Sequence, residues 1–275
     1  MKEYYHSERE LLGDDSMDDE LPDSQNFPMS VLEMACGKGG DLRKWQEAKI
    51  QNYVGIDISN VSLQRAAARF MGFQGLSFCS LFIEGDGATD PQEFFKDFQD
   101  DMYFDIVSCQ MALHYMLKSE ENARNFLENV SQRLVDGGYF VATHPDANVI
   151  RKKLRELGSK DEHGRVFVKN DYYSLICNKK KFRKSEFFGG VYGFFLDCDL
   201  VGTKVPEGNT IKINYVNEYL IPMAKFQELA LEYDLEMVES QNFHDFYVEN
   251  IQSEDHFKFF RKMFNHKQFQ NQNSY

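Results

Sequence analysis

The stretch Ser30 to Asp41, S-V-L-E-M-A-C-G-K-G-G-D, constrains this chain more than any other. Val31, Leu32 and Met34 make the short apolar run of a buried strand. Gly37, Gly39 and Gly40 follow, and without a Cβ they let the backbone turn sharply and pass close to a ligand. Asp41 opens the helical segment D-L-R-K-W-Q-E-A, where a carboxylate suits the N-terminus. A second strand, Tyr53 to Asp57, ends in an acid. A carboxylate in that position accepts hydrogen bonds from both hydroxyls of a ribose, so the unit is predicted to hold a ribose-bearing cofactor.

The dinucleotide pattern G-x-G-x-x-G is not met, because the run reads A-C-G-K-G-G with Ala35 in its first position. That disfavours a pyrophosphate-bearing nicotinamide or flavin and favours S-adenosylmethionine, which has no phosphates. A turn that merely connects two elements is the bland alternative. The coincidence of three glycines, a helix-start acid and a strand-end acid speaks against it.

The pattern then repeats. Ser59 caps a helix whose Val61, Ala66 and Phe70 are expected on one side, and Leu76 to Ile83 reads as a third strand closing on Glu84-Gly-Asp86-Gly87. Asp86 suits the adenine amino group of a cofactor; a plain Asp-Gly turn is the other reading. Phe104 to Gln110 is a fourth strand. Ser119 caps a helix ending at Asp136-Gly-Gly, and Gly138 to Thr143 is a fifth strand. Alternating strand and helix predict an α/β fold, a doubly wound, mostly parallel, Rossmann-like sheet. Ala147 to Leu157 reads as a basic amphipathic helix. Between 158 and 216 alternating segments predict an antiparallel β insertion lying over the active site as a substrate lid. It contains the basic run Lys179, Lys180, Lys181, Arg183 and Lys184, a solvated charge run unless it meets phosphate. Pro222 opens a helix from Met223 to Tyr233, and Leu235 to Val238 is expected to resume the sheet.

Domain organisation follows: an acidic disordered tail over 1–28, a cofactor-binding α/β domain over 29–249, and a C-terminal helix with a polar tail over 250–275. The net charge is −13, of which the first 28 residues, with nine acids and two bases, supply −7. A charge of this sign gives no long-range attraction to a polyanion, so any phosphate-bearing ligand would need a local basic pocket. Five cysteines, with no C-x-x-C pair, speak for a reducing compartment and against zinc or disulfides. No signal peptide or membrane-length apolar run is present.

The segments C-G-K-G-G-D-L-R-K-W, G-I-D-I-S-N-V-S and Ser108-C-Q-M-A-L-H-Tyr115 together resemble the mRNA cap guanine-N7 methyltransferases, over about Val31 to Tyr247. The lysine inside the glycine turn and the His-Tyr pair are the specific features. The resemblance implies transfer of a methyl group from S-adenosylmethionine to guanine N7 of the mRNA 5′ cap. That is an in-line displacement, and N7 is already a lone-pair nucleophile, so alignment replaces acid/base chemistry. It also implies roles. Ala35, Gly37, Asp41, Asp57, Ile58, Asp86, Gly87, Gln110 and Tyr115 face the cofactor. Lys38, Lys44, Arg69, His114, Tyr115, Pro145, Tyr192 and Glu218 face the cap. His114, Tyr115 and Glu218 do the aligning, with Glu218 accepting the N1–H and N2–H donors that guanine has and adenine lacks. Lys44 and Arg69 read equally well as a solvated helix face, and Pro145 and Tyr192 as packing residues. No metal and no membrane are expected. Capped mRNA is the expected partner, with a capping enzyme or activator subunit beside it, and the nucleus the expected compartment, with the cytoplasm as alternative.

The sequence departs from that family in lacking its N-terminal helical segment with Asn and Lys side chains, and its final strand with a cap-facing tyrosine. Met111 stands where the family has an aromatic. These departures keep two rivals open: the same fold acting on another substrate, and a non-catalytic scaffold.

Overall fold

The computed structural model describes residues 29–73, 78–99, 102–178, 188–196, 203–207, 210–254, 256–258 and 261. The expected acidic tail, the basic run at 179–184 and Cys198 lie outside the described residues. Two compact units result, 1–221 and 222–275.

In the first unit, β1 (Ser30–Met34), β2 (Asn52–Asp57), β3 (Cys79–Glu84), β4 (Phe104–Cys109) and β5 (Leu134–Ala142) form one parallel sheet in the order β3-β2-β1-β4-β5. The crossovers carry helices α1 (Leu42–Glu47), α2 (Asn60–Gly72), α3 (Pro91–Phe94), α4 (Leu113–Met116) and α5 (Glu120–Ser131). Winding runs outward in both directions from β1, so right-handed crossovers place helices on opposite faces. The strand order reverses between β1 and β4. At such a switch point the loops beyond the carboxyl ends part and leave a crevice for a ligand.

The core confirms why these segments are strands. Val31, Leu32 and Met34 of β1 are fully buried, as expected for a central parallel strand covered on both faces. Tyr53, Phe70, Phe78 and Phe82 pack with tilted or edge-on rings at centroid distances of 5.3 to 6.3 Å. Ser59 and Ser119 cap α2 and α5 through side chains that accept from the Ser62 and Asn122 N–H groups.

Several expectations need correction. The third strand begins at Cys79, not Leu76, and residues 74–77 lie outside the described set. The fifth begins at Leu134, because Leu134 pairs with Phe104; Asp136-Gly137-Gly138, expected as a helix end, forms a bulge within the strand. Val61 points outward and Leu63 takes its place beside Ala66 in the core. Asp41 stands at the N-terminus of α1 without capping it through its side chain; its carboxylate pairs with Lys44 instead. Leu235 to Val238 forms no strand, and Val238 and Met237 are exposed without a pairing partner. The segment L-E-M-V is interrupted by Glu236 and offers too weak a pattern to define a strand alone.

After β5 comes α6 (Ala147–Glu156), and then a second, antiparallel sheet ordered β12-β9-β8-β7-β6. Its strands are β6 (Ser159–Lys160), β7 (Val166–Lys169), β8 (Tyr173–Cys177), β9 (Gly190–Leu196) and β12 (Val216–Leu220). Strands β10 (Thr203–Glu207) and β11 (Thr210–Asn214) pair separately, so T-I-K-I-N does not join the main inserted sheet. Leu154 and Ala147 of α6 pack on Val168, Leu175, Tyr192 and Leu220. The inserted sheet reaches the parallel one where β12 meets α4, directly beyond the end of β4. The second unit holds α7 (Met223–Leu231), with Pro222 at its start, and α8 (Phe243–Asn250).

Candidate functional site

The glycine turn leaves β1 through three residues at positive φ: Ala35 (+58°), Gly37 (+55°) and Gly39 (+67°). Asp57, at the end of β2, pins this turn. One carboxylate oxygen accepts the Gly37 N–H at 2.8 Å, and the other accepts the Ser59 N–H at 2.8 Å. Each oxygen keeps a lone-pair site for another donor. A Cβ built on Gly37 meets nothing within 4 Å, so the outer side of the turn is open. Ile58, next to Asp57, is 68% exposed, an apolar surface beside a carboxylate.

Gly39 has the opposite surroundings. A Cβ there would lie 2.5 Å from Leu42 Cδ1 and 3.2 Å from Ala66 Cβ, so α1 and α2 close on the turn. Gly39→Ala combines that overlap with an unfavourable φ, and is expected to lower stability by about 2 kcal/mol in a urea titration.

Under the turn lies a polar cluster that sequence reasoning missed. Glu33, 3% exposed, accepts from Tyr53 Oη at 2.7 Å and from Trp45 Nε1 at 3.0 Å. Burial pushes its carboxyl up to about 7, against the lowering effect of those two donors. Burial likewise raises Cys36 to about 12, so this thiol is inert. An acid inside an otherwise apolar strand, S-V-L-E-M, was the available signal.

At the end of β3, Asp86 folds back on its own turn: its carboxylate accepts the Ala88 N–H at 3.0 Å, and its carbonyl accepts the Thr89 N–H at 3.0 Å. These contacts are those of the plain Asp-Gly turn, placed just beyond the carboxyl end of β3.

Beyond β4 the chain makes the short helix α4, which carries His114 and Tyr115. Tyr115 Oη donates to Glu218 Oε1 at 2.6 Å, across 103 residues of sequence. His114 Nε2 touches the other oxygen, Oε2, without hydrogen-bond geometry. His114 and Glu218 are 3% and 4% exposed, and the His114 and Tyr115 ring centroids lie 4.1 Å apart. Tyr192 faces Glu218 across the β9–β12 pair and is itself buried in the insert core, as its packing reading expected. Burial first, and then Glu218, raise the phenols of Tyr115 and Tyr192, so both rings stay neutral donors.

Other predicted residues stand around this centre. Gln110 turns its amide N–H groups to Ser108 Oγ (3.0 Å) and the Val141 carbonyl (3.2 Å). Met111, at φ +57° and 63% exposed, is held by its N–H to Thr143 Oγ1 at 2.7 Å. Pro145 is half-buried just after β5. Lys38 is exposed and unpaired among the described residues. Lys44 is engaged by Asp41, and Arg69 donates to the Gly39 carbonyl at 3.1 Å, so the turn and its basic neighbours form one assembly. Among the described residues no group of three or more His, Cys, Asp or Glu side chains is arranged to hold a metal, and no helix is long and apolar enough to cross a membrane.

A parallel sheet with a glycine turn at its switch point, and acids at the ends of β2 and β3, has the fold of a class I methyltransferase. The solved CcbJ methyltransferase of Streptomyces caelestis shares it, with a TM-score of 0.53 at 14% identity over 77% of this chain and 74% of that one. A family model for the mRNA (guanine-N(7))-methyltransferase domain matches residues 15–275, and the chain belongs to that family. It is 38% identical over 241 residues to mRNA cap guanine-N(7) methyltransferase 1 of Arabidopsis thaliana, covering 85% of this chain and 60% of the relative. With the mRNA cap guanine-N(7) methyltransferase of Saccharomyces cerevisiae it shares 35% over 228 residues, 80% of this chain and 49% of the relative. The chain thus spans about half to three-fifths of the length of these curated relatives.

Proposed function

We propose that this chain methylates guanine N7 of the mRNA 5′ cap, with S-adenosylmethionine as donor. One observation carries the proposal beyond family membership: the Tyr115–Glu218 bond holds an insert carboxylate at the same sheet edge as the glycine turn, Asp57 and Asp86.

The residues present fit the donor. The open side of Gly37 leaves room for it, the free lone pairs of Asp57 suit two ribose hydroxyls, and the exposed face of Ile58 and the adjoining Asp86 suit an adenine. Gln110 lies along the same edge. When bound, S-adenosylmethionine would supply an electrophilic methyl carbon: the guanine N7 lone pair would form the new N–C bond in line as the S–C bond breaks, with S-adenosylhomocysteine as the neutral leaving group. No residue needs to remove a proton from N7, so the protein's part is alignment and exclusion of water.

Glu218 accepts guanine N1–H and N2–H. Its two oxygens carry about four acceptor sites, so Tyr115 can hold it while the base binds. His114 and Tyr115 form an aromatic wall whose faces tolerate the positive charge arriving on the purine. Pro145 and Tyr192 back the pocket. Lys38, projecting from the turn, is free to meet the cap triphosphate as a point charge, with Lys44 and Arg69 behind it. Domain limits follow the same reading: 29–249 carries the activity, and the lid expected over 158–216 is extended through β12 to Leu220. Capped mRNA is the partner, joined by a capping enzyme or activator subunit, and the nucleus, where capping follows transcription, is the compartment.

The test is incubation with methyl-labelled S-adenosylmethionine and GpppA-capped RNA, followed by digestion. Label is expected in 7-methylguanosine. Label elsewhere, or none despite donor binding, would move the reading to another substrate, and no binding at all to a scaffold.

A further inference from the structure

Helix α5 carries three asparagines, Asn122, Asn125 and Asn129, spaced so that all three fall on one face. That face meets the turn after β3. Asn129 Nδ2 donates to the Gly87 carbonyl at 3.0 Å and to the Thr89 carbonyl at 2.9 Å. Asn122 and Asn125 each reach the Ala88 carbonyl at 3.4 Å. Three successive carbonyls of the turn are therefore taken by side chains of a single helix. Asn129 is fully buried, and its Oδ1 has no partner among the described residues. A packing role alone would be met by an apolar side chain, without the cost of burying an unpaired acceptor. What the amide supplies is a fixed direction for the turn.

The turn so held bears on both halves of the site. Its N-terminal residue is Asp86, whose carboxylate is aimed by the Ala88 N–H. A Cβ on Gly87 would lie 3.4 Å from Met34 Sδ and 3.4 Å from Met116 Sδ. Met34 ends β1, immediately before the glycine turn, and Met116 follows Tyr115 in α4. The backbone at Gly87 is thus wedged between the two segments that carry the cofactor side and the acceptor side.

We propose that Asn129, supported by Asn122 and Asn125, is a positioning residue for cofactor binding: by holding the 87–89 turn it keeps Asp86 and Gly87 where the adenosyl group requires them. The proposal rests on the methyltransferase reading above and deepens it.

The experiment measures, by calorimetry, binding of S-adenosylmethionine and of S-adenosylhomocysteine to the wild type, Asn129→Ala and the double variant Asn122→Ala/Asn125→Ala, well below each melting temperature. Amide hydrogen exchange at Ala88 and Thr89 is followed without ligand. Asn129→Ala is expected to weaken binding about tenfold or more, and to speed exchange at both amides. It should raise KM for the donor while kcat at saturating donor changes less than about threefold. The double variant, whose changes are only partly buried, should shift the same quantities in the same direction by a smaller factor. It decides the matter if Asn129→Ala fails to fold. A lowered melting temperature with unchanged donor affinity and unchanged exchange would overturn the proposal and leave a purely structural role. Failure of the wild type to bind either compound would instead overturn the methyltransferase reading, and this inference with it.

Discussion

Methylation of GpppA-capped RNA by Glu218→Ala is expected to fall by about 10⁴-fold in kcat/KM, the loss typical of a site that no longer hydrogen-bonds its substrate's polar edge. The physical reason is the burial of the carboxylate: at 4% exposure no water replaces the acceptor that guanine N1–H and N2–H require. Truncation also strands Tyr115 Oη and opens space beside the His114 ring, so part of the loss would come from a disordered wall. Substrate choice separates the two contributions. Inosine lacks the N2 amino group, and the wild type should prefer guanosine-capped over inosine-capped RNA by roughly ten- to a hundredfold. In Glu218→Gln the shape is kept, one oxygen acceptor is lost, and that preference should collapse toward unity. A uniform loss with the preference intact would show that Glu218 only supports the fold at α4 and β12. Donor affinity should stay within about threefold of wild type in both variants, because Asp57 and the glycine turn are untouched.

Stability is expected to fall as pH rises from about 4.5 to 7, by about 3 kcal/mol from Glu33 alone. The sign follows from burial. Desolvation raises this carboxyl from 4.5 unfolded to about 7 folded, so between those values the folded chain keeps a proton that the unfolded chain has released. Folding is then opposed more strongly at each step upward in pH. The contribution is fully present below 4.5 and gone once pH has passed 7. The neighbouring Asp41 carboxylate reinforces the shift, both by its charge and as an acceptor for the Glu33 proton. Glu33→Gln preserves an oxygen acceptor for Tyr53 and Trp45 and gives Asp41 a permanent N–H donor. Urea titrations of both proteins from pH 4 to 8 should therefore diverge by about 3 kcal/mol, with the variant the more stable at the alkaline end. Parallel curves would place Glu33 in wetter surroundings than the structure shows.

Much of this protein was legible in order along its chain. The glycine turn, the strand-end acids at Asp57 and Asp86, and the serine caps of α2 and α5 are local features. Their residues must satisfy backbone geometry within a few positions, so spacing alone exposes them. The His114-Tyr115 pair and the lysine in the turn carried the family resemblance for the same reason: they are contiguous.

Distant pairing was not legible. Leu134 belongs to β5 because Phe104, thirty residues earlier, offers it a partner, and the Asp136-Gly137-Gly138 bulge that results looks like an ordinary helix end in sequence. Leu235 to Val238 shows the converse, a mostly apolar segment that pairs with no strand among the described residues. The acid in β1 was visible, but that Tyr53 and Trp45 would converge on it was not. Nor did three asparagines in α5 announce which carbonyls they would meet. The winding of the parallel sheet and the chemistry at its strand ends follow from local periodicity and turn geometry, so both can be read from residues that are neighbours in the chain. The contact of Glu218 with Tyr115 and His114 takes the folded chain to see, because it depends on where an inserted sheet returns 103 residues after Tyr115.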